Sequence, residues 1–381
     1  MKILILGFGK STSKLLKFID KVDEVFIFDK EKGNIDYSYL ENHLPLFDLT
    51  IRSPGIPINS KIYILASLLS KKVVSDIEFL CSKIKTKHII GVTGTVGKTS
   101  TCKMIYSILS KKGRCFLLGN IGGPLGEEIE LIQEEDYLIL ELSSFELENT
   151  SSLNLEVAVI LNMSENHLDA TFSEVTYYAS KKRILFSSPK LIIINQKLKQ
   201  YFSSYSYKEI DEDKYINKDD YNKEVAKEVA RFYRLEEKEI NLELNNFKKD
   251  DFRNKEYFYK GRRIVNDSKS TCVASLKNSL SIYSNEKGRI IILGGIFKSR
   301  GEDSIPIKDN DLLFTFGKDG KKFLKFHKGE YYSSLEEVIK RISSLKNNLD
   351  IIFSPACSSF DQYSSFLERG EEFDFLIKKW L

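Results

Sequence analysis

Cysteine is scarce in this chain. The five present (Cys81, Cys102, Cys115, Cys272 and Cys357) lie far apart and form no Cys-x-x-Cys pair. That spacing speaks against a zinc ribbon or a disulfide framework and fits a reducing compartment. Long apolar runs are missing too: no segment nears the about eighteen unbroken apolar residues that span a bilayer. The first run, "KILIL", stops at Gly7-Phe8-Gly9 and so reads as a buried strand, not a signal peptide. No membrane association and a cytoplasmic location are therefore expected. Charge of one sign is also lacking. The formal net charge is only +4 and the lysines are scattered, so no basic stripe marks nucleic acid as the partner.

What is present is the composition of a folded protein, 42% apolar and 29% charged. At 381 residues the chain exceeds one compact core, and two or three domains follow. Short β-branched runs alternate with helical patterns, the mark of an α/β fold with parallel sheets. "KILIL" and "EVFIFD" belong to a first region, 1–86. "HIIGVTG", "DYLILELSS", "VAVILNM" and "KLIIIN" belong to a second, 87–260. "RIIILGG", "DLLFTFG" and "DIIFSPA" belong to a third, 261–381. From Gln196 to about Lys260 the composition turns to Lys, Tyr, Asn and Glu with little periodicity. One helical stretch, "NKEVAKEVARFYRL", interrupts it. This segment reads as a weakly packed tail.

The densest chemical signal is "GVTGTVGKTST", residues 91–101. It departs from the usual Gly-x4-Gly-Lys-Ser/Thr spelling, since Val92 stands where the first glycine belongs. Even so, a strand runs into Gly94-Thr95 and Gly97, and Lys98, Thr99 and Ser100 then open an apolar-periodic helix. Backbone N–H groups in such a loop cradle polyphosphate, with Lys98 on the outer phosphates and the Thr99 hydroxyl placed for magnesium. A ligand-free Gly/Thr turn is the bland alternative. Glu141 ends the next apolar strand, where open α/β sheets gather ligands and where a carboxylate can hold a metal. "LNMSENHLDA" carries His167 with Asn162 and Asp169 after another strand, suited to a metal or phosphate contact. The adjacent Lys181, Lys182 and Arg183 read by themselves as a solvated basic face.

Gly7-x-Gly9, with Asp29 ending the second strand, resembles half of a dinucleotide fingerprint. Thr12 replaces its third glycine, so the turn supports a nucleotide without specifying one. In the third region three polar loops follow strands: "VNDSKSTC", "LGGIFKSRGED" and "SPACSSFDQ". The last sets Ser358 and Ser359 at an expected helix N-terminus, a place for an anion.

Taken together, "TGTVGKT", "ELSSFELE", "NHLDA", "VNDSKSTC", "LGGIFK" and "SPACSSFDQYSSFLERG" resemble the motifs of the Mur ligase superfamily, in order over nearly the whole chain. The last is most similar to the D-glutamate-adding branch. The resemblance implies three domains, with N- and C-terminal Rossmann-like sheets flanking a central P-loop ATPase domain. It implies an ATP-dependent amide ligase with two Mg2+ ions, acting as a monomer on UDP-N-acetylmuramoyl-L-alanine and D-glutamate.

Carried over residue by residue, Lys98 meets the phosphates, as do Gly94, Thr95, Gly97 and Ser100 of its loop. Thr99 and Glu141 hold one metal, and Asn120 places the γ-phosphate and acyl group. His167 serves a second metal together with Lys181, which the family carries as a carbamate. Asp267 and Lys269 lie on the nucleotide side. Thr271, Lys298, Ser359, Phe360 and Phe366 match the D-glutamate pocket. Lys10, Ser11, Asp29 and Ser53-Pro54-Gly55 fall where UDP is held. The family's HNxxN reads here as "YNKEVA", with Tyr221 and Val225 at the departing positions. Another amide ligase of the Mur and folylpolyglutamate synthetase superfamily, a non-catalytic nucleotide-binding relative and a kinase are the competing readings.

Overall fold

The computed structural model describes the chain except for residues 43–46, 122–124, 164–173, 248–250, 284 and 298–304. The described residues up to Phe247 form one compact unit and those from Asp251 onward a second.

The first unit holds two parallel sheets. Strands β1 (Lys2–Leu6), β2 (Glu24–Phe28), β3 (Leu49–Arg52) and β4 (Val73–Ser75) pair in the order β2-β1-β3-β4. Strands β5 (His88–Thr93), β6 (Cys115–Gly119), β7 (Tyr137–Glu141), β8 (Val157–Ile160), β9 (Leu191–Asn195) and β10 (Lys208–Ile210) pair in the order β10-β9-β8-β5-β7-β6. β7 and β8 are buried along their whole length, as expected of strands covered on both faces. One apolar cluster joins the two sheets: Ile3, Ile5, Ile51 and Val74 of the first share it with Leu118, Leu138, Leu140 and Ile160 of the second.

The helix Lys98–Leu109 covers the other face of the second sheet. Its Cys102, Ile105 and Leu109 pack with Val92 and Ile139, and with Val225, Ala226 and Val229 of the helix Lys218–Phe232. The stretch after Gln196 is thus not a loose tail. It builds that helix and the helix Glu237–Asn246, whose Ile240 and Leu244 are buried. Its apolar residues are few, but they fall at helical spacing on one face.

The second unit is built on β11 (Lys255–Tyr259), β12 (Arg262–Asn266), β13 (Arg289–Gly294), β14 (Leu312–Phe316), β15 (Glu330–Tyr332) and β16 (Asp350–Phe353). They pair in the order β11-β12-β16-β13-β14-β15. Only the hairpin partner β11 runs antiparallel, so Lys255–Tyr259 belongs to this sheet. The final helix, Phe366–Trp380, is capped by Ser365, whose hydroxyl accepts from the Glu368 N–H. Ser358 and Ser359 therefore stand short of the helix N-terminus expected for them. They form a tight turn, with the Ser359 carbonyl accepting from the Gln362 and Tyr363 N–H groups. The Phe-Asp-Gln-Tyr segment is consumed by that turn before the helix begins. All five cysteines are free, and among the described residues no helix is long and apolar enough to cross a membrane.

Candidate active site

In the second sheet β5 lies between β7 and β8, whereas β6, next along the chain, lies beyond β7. The connection leaving β5 thus runs toward β6 and that leaving its neighbour β8 runs the opposite way, toward β9, which opens a crevice at the C-terminal ends of these strands. The loop 94–97 sits there. Gly97 takes a φ of 94°, and a Cβ at this position would lie 2.8 Å from the Asn222 Oδ1. Both facts demand glycine.

The loop's amides have a stand-in acceptor. Asn162, just past β8, accepts from the Thr95 and Val96 N–H groups at 2.9 and 2.8 Å through its Oδ1, and its Nδ2 donates to the Val96 carbonyl at 2.8 Å. The Thr95 hydroxyl meets the Tyr177 hydroxyl at 3.0 Å. The Lys98 amine folds back onto the Gly94 and Thr95 carbonyls at 2.8 and 3.2 Å.

One carboxylate gathers the neighbouring elements. Glu141, at the end of β7 and 3% exposed, accepts from the Thr99 hydroxyl at 2.9 Å and from the Asn120 Nδ2 at 3.1 Å. Ser100 is buried in the first turn of the same helix as Thr99. On the other side, Lys181 of the helix Glu174–Lys182 is 1% exposed. Its amine donates to the Gly94 carbonyl at 2.9 Å and lies over the Tyr177 ring. Burial, and then the charge of Lys98, hold that amine well below its ordinary pKa. The neighbouring Lys182 lies over Phe202 instead, so Lys181 is the lysine that reaches the loop. His167, Asp169 and Lys298 lie outside the described residues.

In the first sheet, Gly7-Phe8-Gly9 follows β1 and Ser53-Pro54-Gly55 follows β3. A Cβ on Gly7 would meet Ile56 at 3.0 Å and Ser53 at 3.1 Å, so the two loops touch. The Asp29 carboxylate accepts from the N–H groups of Phe8 at 2.9 Å, Glu31 at 3.0 Å and Lys32 at 3.2 Å. These bonds hold its carboxyl below the usual range. Lys10 and Ser11 open the helix Lys10–Leu15.

In the second unit the loops after β12, β13 and β16 converge on Arg369. Its buried guanidinium donates to the Ser268 hydroxyl and carbonyl, the Cys357 carbonyl at 3.0 Å and the Gly294 carbonyl at 3.4 Å. Asp267 is buried and accepts from the Ser279 and Ser354 hydroxyls and the Asn254 N–H. Its carboxylate holds loops of its own sheet. The Lys269 amine lies 5.5 Å from the centre of the Phe366 ring. Thr271 follows on the same loop, Ser359 is buried, and Phe360 is 69% exposed.

Comparison with known proteins meets this geometry from another direction. A profile of the Mur ligase middle domain matches residues 92–258. UDP-N-acetylmuramoylalanine–D-glutamate ligase of Buchnera aphidicola subsp. Acyrthosiphon pisum is 33% identical over 436 aligned residues, covering 99% of this chain and 98% of the relative. The chain belongs to the Mur ligase family. A second relative of the same name, from Petrotoga mobilis, is 31% identical over 440 aligned residues and the full length of both chains. Among solved structures, MurF from Acinetobacter baumannii superposes with a TM-score of 0.62 over 88% of this chain and 92% of that one, at 13% identity. A pseudomurein peptide ligase type C from Methanothermus fervidus gives 0.59 over 99% of each chain, at 17% identity. At those identities the likeness is one of fold. The multidomain α/β fold expected from the motifs is the fold of Mur ligases.

Several side chains in the two units escape a reading by motif. Tyr177 and the loop-holding role of Asn162 depend on which helices and strands meet. Asn222 had a signal, its place in the "YNKEVA" counterpart of HNxxN, and it lies against the Gly97 turn. Arg253, whose charge acts on the Asp267 carboxyl, lies in a stretch whose sequence carries no pattern.

Proposed function

We propose that this chain joins D-glutamate to UDP-N-acetylmuramoyl-L-alanine at the expense of ATP, the reaction for which its full-length relatives are named. The observation that carries the reading is the convergence of Thr99 and Asn120 on Glu141, beside a phosphate loop flanked by Lys98 and a buried Lys181 of lowered basicity.

A carboxylate is a poor acyl donor until one of its oxygens becomes a good leaving group. In the proposed reaction the terminal phosphoryl group of ATP passes to the alanyl carboxylate, giving ADP and an acyl phosphate. The D-glutamate amine then attacks the acyl carbon, loses a proton, and phosphate leaves as the amide forms. Lys98 swings from the Gly94 and Thr95 carbonyls to the phosphates, and the Thr95 and Val96 amides turn from Asn162 to phosphate oxygens, with Gly94, Gly97 and Ser100 shaping the loop. Asn120 orients the γ-phosphate and acyl group.

The hydroxyl of Thr99 and the carboxylate of Glu141 are oxygen donors suited to a hard cation. Magnesium there, and a second ion at His167 and Lys181, would neutralise charge gathering between phosphate and carboxylate. The depressed basicity of Lys181 favours carbamylation: the neutral nitrogen attacks the carbon of CO2, an electron pair moves to oxygen, and the nitrogen loses a proton. A cation becomes a two-oxygen anion.

The remaining roles divide by region. In 1–86, Lys10, Ser11, Asp29 and Ser53-Pro54-Gly55 hold the UDP portion. Residues 87–247 form the ATP domain. In 261–381, Thr271, Lys298, Ser359, Phe360 and Phe366 take D-glutamate. Lys269 serves the nucleotide, and Asp267 supports it through the loop it holds. The protein acts as a cytoplasmic monomer in this reading.

The test is phosphate release from ATP with UDP-N-acetylmuramoyl-L-alanine, with and without D-glutamate, read together with the product mass. Release that needs both substrates and a product heavier by one glutamyl residue is the expected result. Release yielding a product without added glutamate overturns the reading.

A further inference from the structure

The two sheets of the first unit meet at a buried ion pair that no motif announces. Arg52, the last residue of β3, is completely buried, and its guanidinium donates to the Glu148 carboxylate at 2.8 Å. Both side chains are essentially without solvent contact. The same guanidinium donates to the Ile56 carbonyl at 2.6 Å and to the Phe145 carbonyl at 2.5 Å.

These partners are not arbitrary positions. Arg52 and Ile56 bracket Ser53-Pro54-Gly55, so one side chain closes that loop at both ends. The loop is fixed further by the Ser53 N–H on the Leu6 carbonyl and the Ile56 N–H on the Ser53 carbonyl. Phe145 and Glu148 lie just beyond Glu141, on the short helix Ser144–Leu147 and its cap. The Leu142 N–H on the Val92 carbonyl ties the start of that segment to β5, which leads into the phosphate loop. A continuous run of bonds therefore leads from the 53–55 loop, through one guanidinium, to the segment that anchors Glu141.

Holding the sheets together does not require this arginine. The shared apolar cluster does so, aided by the Ser75 and Thr150 hydroxyls at 3.0 Å, the Asn149 amide on the Tyr63 hydroxyl at 2.7 Å and the Ser151 N–H on Glu78 at 2.6 Å. A buried ion pair is a costly substitute for apolar packing. What it adds is direction: a planar fork that fixes two loops in one relative position.

We propose that Arg52 is a positioning residue that couples occupancy of the 53–55 loop by the UDP-linked substrate to the geometry of Glu141 at the ATP site. This rests on the reading given under the proposed function. The UDP-linked substrate seated on the loop fixes Arg52. Arg52 fixes Phe145 and Glu148, and Glu141 is then held for the nucleotide. By linkage the effect is reciprocal.

The test is a binding cycle by calorimetry, using a non-hydrolysable ATP analogue with magnesium in the presence and absence of UDP-N-acetylmuramoyl-L-alanine. The parent protein is expected to bind the analogue at least about fivefold more tightly with the substrate present. In Arg52→Lys the charge stays, but the planar fork that reaches both loops from two separate nitrogens is lost, and the coupling should fall below about twofold. Glu148→Gln, which leaves both carbonyl bonds in place, should lose part of it and serves if the Arg52 variant does not fold. Coupling that is unchanged in the variants, even where both affinities fall together, means a structural role only and overturns the proposal. So does a parent that binds both ligands independently. A parent that does not bind UDP-N-acetylmuramoyl-L-alanine at all sinks the functional reading itself, and this proposal with it.

Discussion

Two glycine turns follow the leading strands of the two sheets in the first unit, and they are finished with opposite chemistry. At Gly7-Phe8-Gly9 the Phe8 amide is held by the Asp29 carboxylate, an anion. At 94–97 the Thr95 and Val96 amides are held by the Asn162 side chain, a neutral amide. A phosphate can take over the second position without meeting negative charge. At the first it would have to displace a carboxylate. The helices differ in the same sense, since Lys10–Leu15 has six residues and Lys98–Leu109 has twelve. The glycines look alike in sequence. The acceptor supplied from a distant strand suits one turn to a phosphate and not the other.

The sharpest break of this comparison comes from the catalytic side. Lys98→Ala and Glu141→Ala are each expected to lower kcat by at least about a hundredfold, while binding of UDP-N-acetylmuramoyl-L-alanine and the melting temperature stay close to the parent's. Turnover near that of the parent in either variant would show that the second loop is not the reacting site.

Reversing the acceptor's charge is the next step. Asn162→Asp gives the second loop the chemistry of the first. The new carboxylate should still accept from Thr95 and Val96, so the fold survives, but it repels an incoming polyphosphate. The dissociation constant for the ATP analogue should rise about ten- to a hundredfold, about 1.4 to 2.8 kcal/mol. Affinity for the UDP-linked substrate should not change. An unaltered nucleotide affinity would mean that Asn162 does not stand where phosphate binds. The mirror experiment, Asp29→Asn, should be milder, because that carboxylate is only half-buried and is partly screened by solvent. A rise of less than about tenfold in KM for the UDP-linked substrate is expected, with KM for ATP unchanged. If the ATP term moves instead, the division of labour between the loops is wrong.

The same contrast separates what could be read in the sequence from what could not. Gly97-Lys98-Thr99, Glu141 and the strands around them are written locally: the turn needs its glycine, the helix its period and the strand its β-branched run. β5, β7, β8, β9, β13, β14 and β16 were therefore legible, and so was the Lys98–Thr99–Glu141 group. β3 and β6, four and five residues long like several of the legible strands, passed unnoticed. Asn162, Tyr177 and Asn222 reach the loop only because β8 pairs with β5 and the helix Lys218–Phe232 packs on Lys98–Leu109. The "LNMSENHLDA" and "YNKEVA" stretches mark Asn162 and Asn222, but neither says which loop they meet. Arg52 is the extreme case, as its carboxylate partner is ninety-six residues away. The tyrosine-rich stretch after Gln196 misled for a different reason: buried residues spread along two polar helices look like little periodicity until their common face is known.

The last effect, on stability alone, belongs to the seam between the two sheets, where both loops are rooted. Asp76 is buried beneath Arg52, and burial raises its carboxyl to about 6, against the opposing pull of the Ile77 N–H and the Arg52 charge. Burial raises Glu146 to about 7 in the same way. In both cases the folded protein binds the proton more tightly than the unfolded chain. Their contribution to stability is thus fully present below the unfolded values and is lost as pH rises through about 6 and about 7. Asp76→Asn removes one of these groups while keeping its shape. Denaturant unfolding across pH 4 to 6 should then show a stability slope less negative than the parent's by about 1 kcal/mol per pH unit, with the two slopes converging near neutrality. The comparison must be between variant and parent, because carboxylates held low by hydrogen bonds, Asp29 among them, tilt the absolute curve the other way at the acid end. Parallel curves would mean that Asp76 titrates in the fold as it does in the unfolded chain, and so is ionised there above about pH 5. The seam would then carry a second buried anion facing Arg52, and the guanidinium would be shared between two acids instead of being committed to Glu148 and the two loop carbonyls.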